Sequence, residues 1–558
     1  MAATVAPQFP TTLHALHEHA ASRASVTVRA KGFRDTLRLV EVAAIARRSA
    51  TLLTELGVRR ADRVMVAMPT SPAAVTAFFA VQLAGATPVP FAVPAGRRRV
   101  DDAGASLCTY IDPAAVIAPA SVAAGLRPPG RVTVLDLDDL HTAGRDIAVP
   151  LSPVRLPSPD SCAIIQCTSG STGQPKGVEV SHAGLAANCA QITEFASWTA
   201  HDTSVSWLPL YHDMGLIGGL LAPIYAGADT VLLPPGHFLR RPGDWLRAVH
   251  DHRGAISATP NFGLGYAAHR IADDELDGLD LSCWRMIFCG AEPINARTVR
   301  GFVERFGRVG VRGRSVVPCY GLAEAGLIVT AAPPRDHLDC DTVSRREIAA
   351  SGVVVDTDRD DDAIEVVTLG PAVRGSEIRV VDDAGVPVGD DRLGRVQFRG
   401  PSCTAGYFDR PDATARSRSA DGWWDTGDLG YLRDGSLRIT GRARDTIIIR
   451  GANYFAVDFE RIAESLPAVR PGSVAAVAHR APDSDTDELW LILETEVGQE
   501  DPAELHRTLT GLIVERTGVA VARTVPIGKG ELPKTTSGKV RRRQAYLQVL
   551  GSPVGLGR

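Results

Sequence analysis

Between an apolar run, CAIIQ, and the segment after Gly177 lies Cys167-Thr-Ser-Gly-Ser-Thr-Gly-Gln-Pro-Lys-Gly177. Its eleven positions hold three glycines and the four hydroxyl residues Thr168, Ser169, Ser171 and Thr172. Such a loop is rich in N–H and O–H donors, and the chemistry it suits is a polyphosphate, whose oxygens only accept. It is not a Walker A loop, because Pro175 precedes Lys176 and Gly177 follows it where Ser or Thr would be needed. His212, after Leu-Pro-Leu-Tyr, reads by itself as a satisfied structural histidine, with a site residue as the alternative. His14, His17 and His19 lie on an amphipathic helix with no Cys or carboxylate set at metal-ligand spacing, so they read as surface.

The elements that must carry these residues follow a strand–helix rhythm. VEVAAIARRSATLLTELG has apolar residues at helical spacing and stops at Gly57. RVMVAMP is a strand, AAVTAFFAVQLAGA an apolar helix and TPVPF a strand again. The rhythm continues through VTVLDL, CAIIQC, TSVSWLP, DTVLLP, AISATP, RMIFCG and SVVPCY, which predicts α/β architecture with mostly parallel sheets covered on both faces. The polar, acidic run near 335–365 reads as an insertion. SEIRVVDDAGVPV, GRVQFRG and GSLRITGR then predict antiparallel β-structure. The remaining hundred or so residues have their own α+β pattern. The expected organisation is a large N-terminal domain, 1–441, of α/β subdomains plus a β-rich subdomain. An insertion at 336–367 lies within it, a hinge at 442–445 follows, and 446–558 form a small C-terminal α+β lid.

Composition sets limits on partners. With 558 residues, 45% hydrophobic and 22% charged, the chain can bury more than one core. A net charge of −4 gives no pull toward nucleic acid or an anionic membrane, and the isolated triplets Arg97–Arg99 and Arg541–Arg543 read as solvated surface or local phosphate contacts. Nine scattered cysteines without a CxxC predict reduced thiols and a cytoplasmic setting. No signal peptide and no membrane span are expected.

TSGSTGQPKGV resembles the phosphate loop of the adenylate-forming superfamily of acyl-CoA synthetases, luciferases and adenylation domains. Five segments agree in the same order: WLPLYHDMG (207–215), CGAEP (289–293), YGLAEA (320–325), WDTGDLGYL with ITGRARDTIIIRGANYF (424–455), and LPKTTSGKVRR (532–542). The resemblance implies activation of a carboxylate by ATP to an acyl-adenylate. Thr168, Ser169, Gly170, Ser171, Thr172, Gly173 and Lys176 would hold the phosphates. Gly290, Ala291, Glu292, Tyr320 and Gly321 would hold adenine, Asp428 the ribose hydroxyls, and Arg442 the ribose or a phosphate. Glu324 and Thr172 would bind Mg²⁺, an oxygen pair of the kind that ion prefers. Lys539 would be the catalytic cation that bridges carboxylate and α-phosphate, His212 would line the site, and Arg444 would be the pivot.

Within that superfamily, WLPLYHDMGLIGG, SATPNFGLGYAAHRI and CGAEPINARTVRGFVERF resemble the fatty acyl-AMP ligases, and the insertion falls where those enzymes carry a brake on domain rotation. The resemblance implies a fatty acid substrate and transfer to the phosphopantetheine thiol of an acyl carrier protein. No carrier segment follows in the sequence, so that partner is expected in trans. An acyl-CoA synthetase, a ligase for a non-fatty acid and a catalytically dead binding module are the alternatives. Cys167 in place of Tyr and Ala456 in place of Pro depart from the ligase pattern.

Overall fold

The computed structural model describes residues 7–93, 102–126, 132–146, 156–168, 176–449, 452–480, 487–495, 501–535 and 539–551. The expected α/β architecture is present. Its largest sheet has eight strands in the order Ile328–Ala331, Val316–Gly321, Met286–Cys289, Ile256–Thr259, Thr203–Ser206, Asp229–Leu232, Ser25–Ala30 and Phe33–Arg38. Pairing is parallel throughout the middle and antiparallel at both edge pairs. The central strands Thr203–Ser206, Ile256–Thr259 and Met286–Cys289 are buried at every position. Burial on both faces is why they read as unbroken apolar or small-residue runs rather than alternating ones.

A second, wholly parallel sheet orders Thr87–Phe91, Arg63–Ala67, Ala115–Ala118 and Thr133–Asp136. Its helix Pro72–Leu83 is buried over nearly its whole length, as its sequence requires. The Ser71 hydroxyl accepts from the Ala74 N–H at its start, and proline fits its first turn, where no N–H is needed. The helix read from VEVAAIARRSATLLTELG runs Leu39–Glu55 and ends where Gly57 turns left-handed, φ 96°.

The strands Cys162–Thr168 and Lys176–Ser181 pair antiparallel, with Thr168 opposite Lys176. The hydroxyl-rich connection 169–175 therefore joins two strands of one hairpin, whereas a Walker A loop opens a helix. An antiparallel sheet of Glu377–Val381, Gly394–Arg399, Trp424–Arg433 and Ser436–Arg442 matches the β-rich region read from sequence.

The polar stretch 336–367 is folded, not an open loop. The strands Cys340–Ser344 and Ala363–Val367 pair antiparallel around the helix Arg345–Ser351. Val343, Ile348, Val354 and Val366 form a small core with Tyr431 and with Phe455. Phe455 ends the strand Ala452–Phe455, which follows the turn Ala443–Asp445, so this core joins chain on both sides of that turn. Arg345 Nη1 donates to the Arg516 carbonyl at 2.6 Å, a second link across it.

The C-terminal sheet is Val469–His479, Glu488–Thr495 and Val521–Ile527, packed with the helices Ala456–Ala463, Pro502–Thr517 and Arg542–Gly551. It has its own core around Phe459, Leu491, Leu509 and Ile513. A single helical turn, Ala443–Asp445, joins it to the preceding strand. Among the described residues no helix is long and apolar enough to cross a membrane. All nine cysteines are free thiols.

Candidate active site

One cavity collects side chains from both parts of the chain. Thr168, Lys176, His212, Ala291, Glu292, Tyr320, Gly321, Glu324, Asp428 and Arg442 line it from the large part, and Lys539 from the small one. Ser169, Gly170, Ser171, Thr172 and Gly173 lie outside the described residues. Gly290 lies in the same turn as Ala291, directly behind the wall, where a Cβ would stand 2.8 Å from the Cys319 carbonyl oxygen. A Cβ at Gly321 would likewise collide with the Leu327 carbonyl. These two glycines let neighbouring backbones close on the site. Ala291 takes the left-handed conformation, φ 66°. That geometry is unusual for a residue with a Cβ, and such strain gathers at ligand-binding turns.

Asp428 is buried and both of its oxygens are used. Tyr320 Oη donates to one at 2.6 Å, and Arg442 Nε stands 3.0 Å from the other. The antiparallel register that sets Asp428 opposite Arg442 makes the pair a product of the hairpin. Asp428 raises the affinity of the Arg442 guanidinium for its proton. Each carboxylate oxygen has two lone pairs, so a diol can share them with these donors.

Glu324 follows Tyr320 on a short helical turn, Ala323–Ala325. Tyr407 Oη donates to its carboxylate at 2.6 Å, and burial pushes its pKa up. The ring of Tyr407 also sits under Lys176, whose Nζ is 4.5 Å from the ring centre. Burial lowers the pKa of Lys176, and Glu324 opposes that shift. Tyr407 was invisible to sequence reasoning, since it stands 83 positions from Glu324. Among the described residues there is no group of three or more metal-ligating side chains. A single half-buried carboxylate, Glu324, still fits Mg²⁺, which takes one or two carboxylates plus substrate phosphates.

His212 Nδ1 lies 2.6 Å from Asp213 Oδ1. That carboxylate also accepts from the Met214 N–H at the start of the π-helical segment Met214–Leu221. Asp213 was not singled out from sequence, although it adjoins His212. Burial works against its charge, but His212 and Lys539 bring its pKa below the usual carboxylate range.

Lys539 is the decisive group. Burial, with Arg442 nearby, lowers its pKa, while Asp213, Glu292 and Asp428 pull the other way. An ammonium from the C-terminal segment thus lines one cavity with three carboxylates, Asp213, Glu292 and Asp428. Glu292 itself accepts from the Phe262 N–H at 2.6 Å and so caps the helix Asn261–Arg270. Burial raises its pKa. The arrangement gathers cations where acceptor-only phosphates would lie and carboxylates where a diol and a metal would lie.

Comparison with known proteins agrees with this geometry. Residues 16–408 match the family described as AMP-binding enzyme. The chain belongs to this AMP-binding enzyme family. A 4-hydroxyphenylalkanoate adenylyltransferase of Mycobacterium marinum is 34% identical over 548 residues, covering 92% of this chain and 86% of that protein. The medium-chain-fatty-acid–acyl-carrier-protein ligase JamA of Moorena producens is 32% identical over 405 residues, covering 70% of this chain and 68% of JamA. A structure from work on the fatty acyl-adenylate ligases of E. coli and L. pneumophila superposes with a TM-score of 0.89 at 33% identity, covering 97% of this chain and 98% of that one. The AMP-binding enzyme fold therefore extends over both parts of this chain.

Proposed function

We propose that this chain is a fatty acyl-AMP ligase that activates a fatty acid with ATP and passes the acyl group to the thiol of an acyl carrier protein. The observation that carries the reading is Lys539, half-buried in one cavity with Asp213, Glu292 and Asp428, which also holds Lys176, Arg442 and Glu324. In the first half-reaction a carboxylate oxygen bonds to the α-phosphorus and the bond to pyrophosphate breaks. Both reactants are anions, so the protein's task is to position them and offset their charge. Lys539 bridges them, Arg442 and Lys176 bind phosphate oxygens, and Asp428 accepts from the ribose hydroxyls. Tyr320 packs against adenine beside the Gly290–Glu292 turn, and Thr168 to Gly173 wrap the phosphates. Glu324, with Thr172, holds Mg²⁺, which supplies further neutralisation of the polyphosphate.

Residues 442–445 are the hinge, and the 336–367 insertion restrains rotation about it. The core shared with Phe455 and the Arg345 bond to the Arg516 carbonyl support that restraint. A restrained rotation favours a carrier-protein acceptor over CoA, and the name of JamA agrees with it. The test is ATP–pyrophosphate exchange with purified chain, Mg²⁺ and a panel of fatty acids. Exchange is expected, with a drop of at least about 100-fold for Lys539→Ala. Full exchange in that variant defeats the reading.

A further inference from the structure

The short strand Gly406–Tyr407 pairs antiparallel with Lys176–Ser181, and Tyr407 stands opposite Val178. Residues opposite one another share a sheet face, and so do residues two apart on a strand. Tyr407 is therefore the diagonal neighbour of Lys176, a spacing that an aromatic ring and a long side chain can bridge. They do so here, with Lys176 Nζ 4.5 Å from the ring centre. The same side chain also reaches the other way, and its Oη donates to Glu324 Oε1 at 2.6 Å. All three side chains line the cavity.

The chain around Tyr407 is pinned to both elements that it touches. The Thr404 N–H donates to the Glu324 carbonyl at 2.7 Å, and the Thr404 hydroxyl donates to the Glu179 carbonyl at 2.6 Å. The Tyr407 N–H donates to Thr414 Oγ1 at 2.9 Å. Tyr407 is 8% exposed and packs edge-on against the buried Trp424, with 5.3 Å between ring centres.

Glu324 and Lys176 are long, rotamer-rich side chains, and each loses entropy when it is held in one place. Tyr407 removes that freedom before a ligand arrives. Its hydroxyl occupies one lone pair of Oε1 and leaves the remaining ones to a cation. Hydrogen bonds from outside a metal's own ligands orient a ligating carboxylate, and a ring face holds an ammonium without neutralising it.

We infer that Tyr407 is a positioning residue for the metal–nucleotide: its hydroxyl sets the Glu324 carboxylate for Mg²⁺, and its ring sets the Lys176 ammonium for the phosphates. This inference rests on the reading of Glu324 as the metal carboxylate of an acyl-AMP ligase.

The test is calorimetric binding of ATP to the full chain, once with excess EDTA and once with saturating Mg²⁺, in wild type, Tyr407→Phe and Tyr407→Leu. The ratio of the two Kd values measures how far the metal tightens ATP. Tyr407→Phe removes the hydroxyl and keeps the ring. It should shrink that ratio at least about tenfold while the Kd in EDTA stays within about twofold of wild type. Tyr407→Leu should in addition weaken binding in EDTA at least about threefold, because Lys176 loses its platform. An unchanged ratio in Tyr407→Phe overturns the role toward Glu324, and equal Kd values in EDTA for the two variants overturn the role toward Lys176. A lowered unfolding midpoint in Tyr407→Phe, with both Kd values weakened in proportion, marks a merely structural residue and overturns both. Wild-type chain that binds ATP yet exchanges pyrophosphate with no acid defeats the ligase reading, whereas the Kd ratios still decide the role of Tyr407.

Discussion

In the proposed reaction Lys539 acts through a proton that its surroundings loosen. A free lysine holds its proton to about pH 10.4, and burial together with Arg442 lowers that limit here. Only the ammonium form can bridge two anions. Adenylate formation should therefore fall as pH rises through the lowered pKa, at a pH below that of an ordinary lysine. The kcat/KM profile reports this group in the free enzyme. In Lys539→Arg the guanidinium stays charged above pH 12, so the alkaline limb should vanish even though the rate is lower. An unchanged alkaline limb in that variant would assign the titration to another group.

The turn Ala443–Asp445 and the helix Arg542–Gly551 are tied together by a member of the triplet whose sequence reads as solvated surface or local phosphate contacts. Arg542 Nη1 is 2.7 Å from Asp445, and its Nε and Nη2 bond both oxygens of Glu460 at 2.7 Å. Glu460 is buried, and desolvation raises its pKa. The triplet Arg541–Arg543 is thus no uniform solvated patch. Its middle member is an internal strut between the Ala443–Asp445 turn and the core of the small domain. Removing one partner of a buried pair strands the other charge and costs about 3–5 kcal/mol. Arg542→Ala should lower the stability of the C-terminal part by that order in denaturant unfolding, and Glu460→Gln in the same background should recover part of it. Equal stability of wild type and Arg542→Ala would show that the pair contributes nothing net.

Across the whole molecule, the contacts of the 336–367 insertion with Phe455 and Arg516 bear on which acceptor thiol is used. Arg345 is 8% exposed, and its charge interacts with Asp458 on the helix Ala456–Ala463. Under the proposed restraint, Arg345→Ala combined with Ile348→Ser should free the rotation. Acyl-CoA formation from ATP, fatty acid and CoA should then rise at least about tenfold, with the first half-reaction retained, since a few kcal/mol suffices to shift such an equilibrium. Wild-type chain that already makes acyl-CoA rapidly would refute the restraint.

The chemistry-bearing segments were legible because each is local. A hydroxyl-rich loop before Lys176, the Tyr320-to-Glu324 step and the Lys539 turn keep their meaning over a few residues, and unbroken apolar runs marked the central strands. Residue types and order alone thus determined the α/β class and the family. The tertiary structure decided what depends on distant approach. Tyr407 reaches Glu324, Arg542 reaches Glu460, and the insertion packs on Phe455, all across long stretches of chain. Hydrophobic periodicity encodes which face is buried, but not which distant polar atom it meets, and that pairing is fixed only when the sheets and the small domain close on one another.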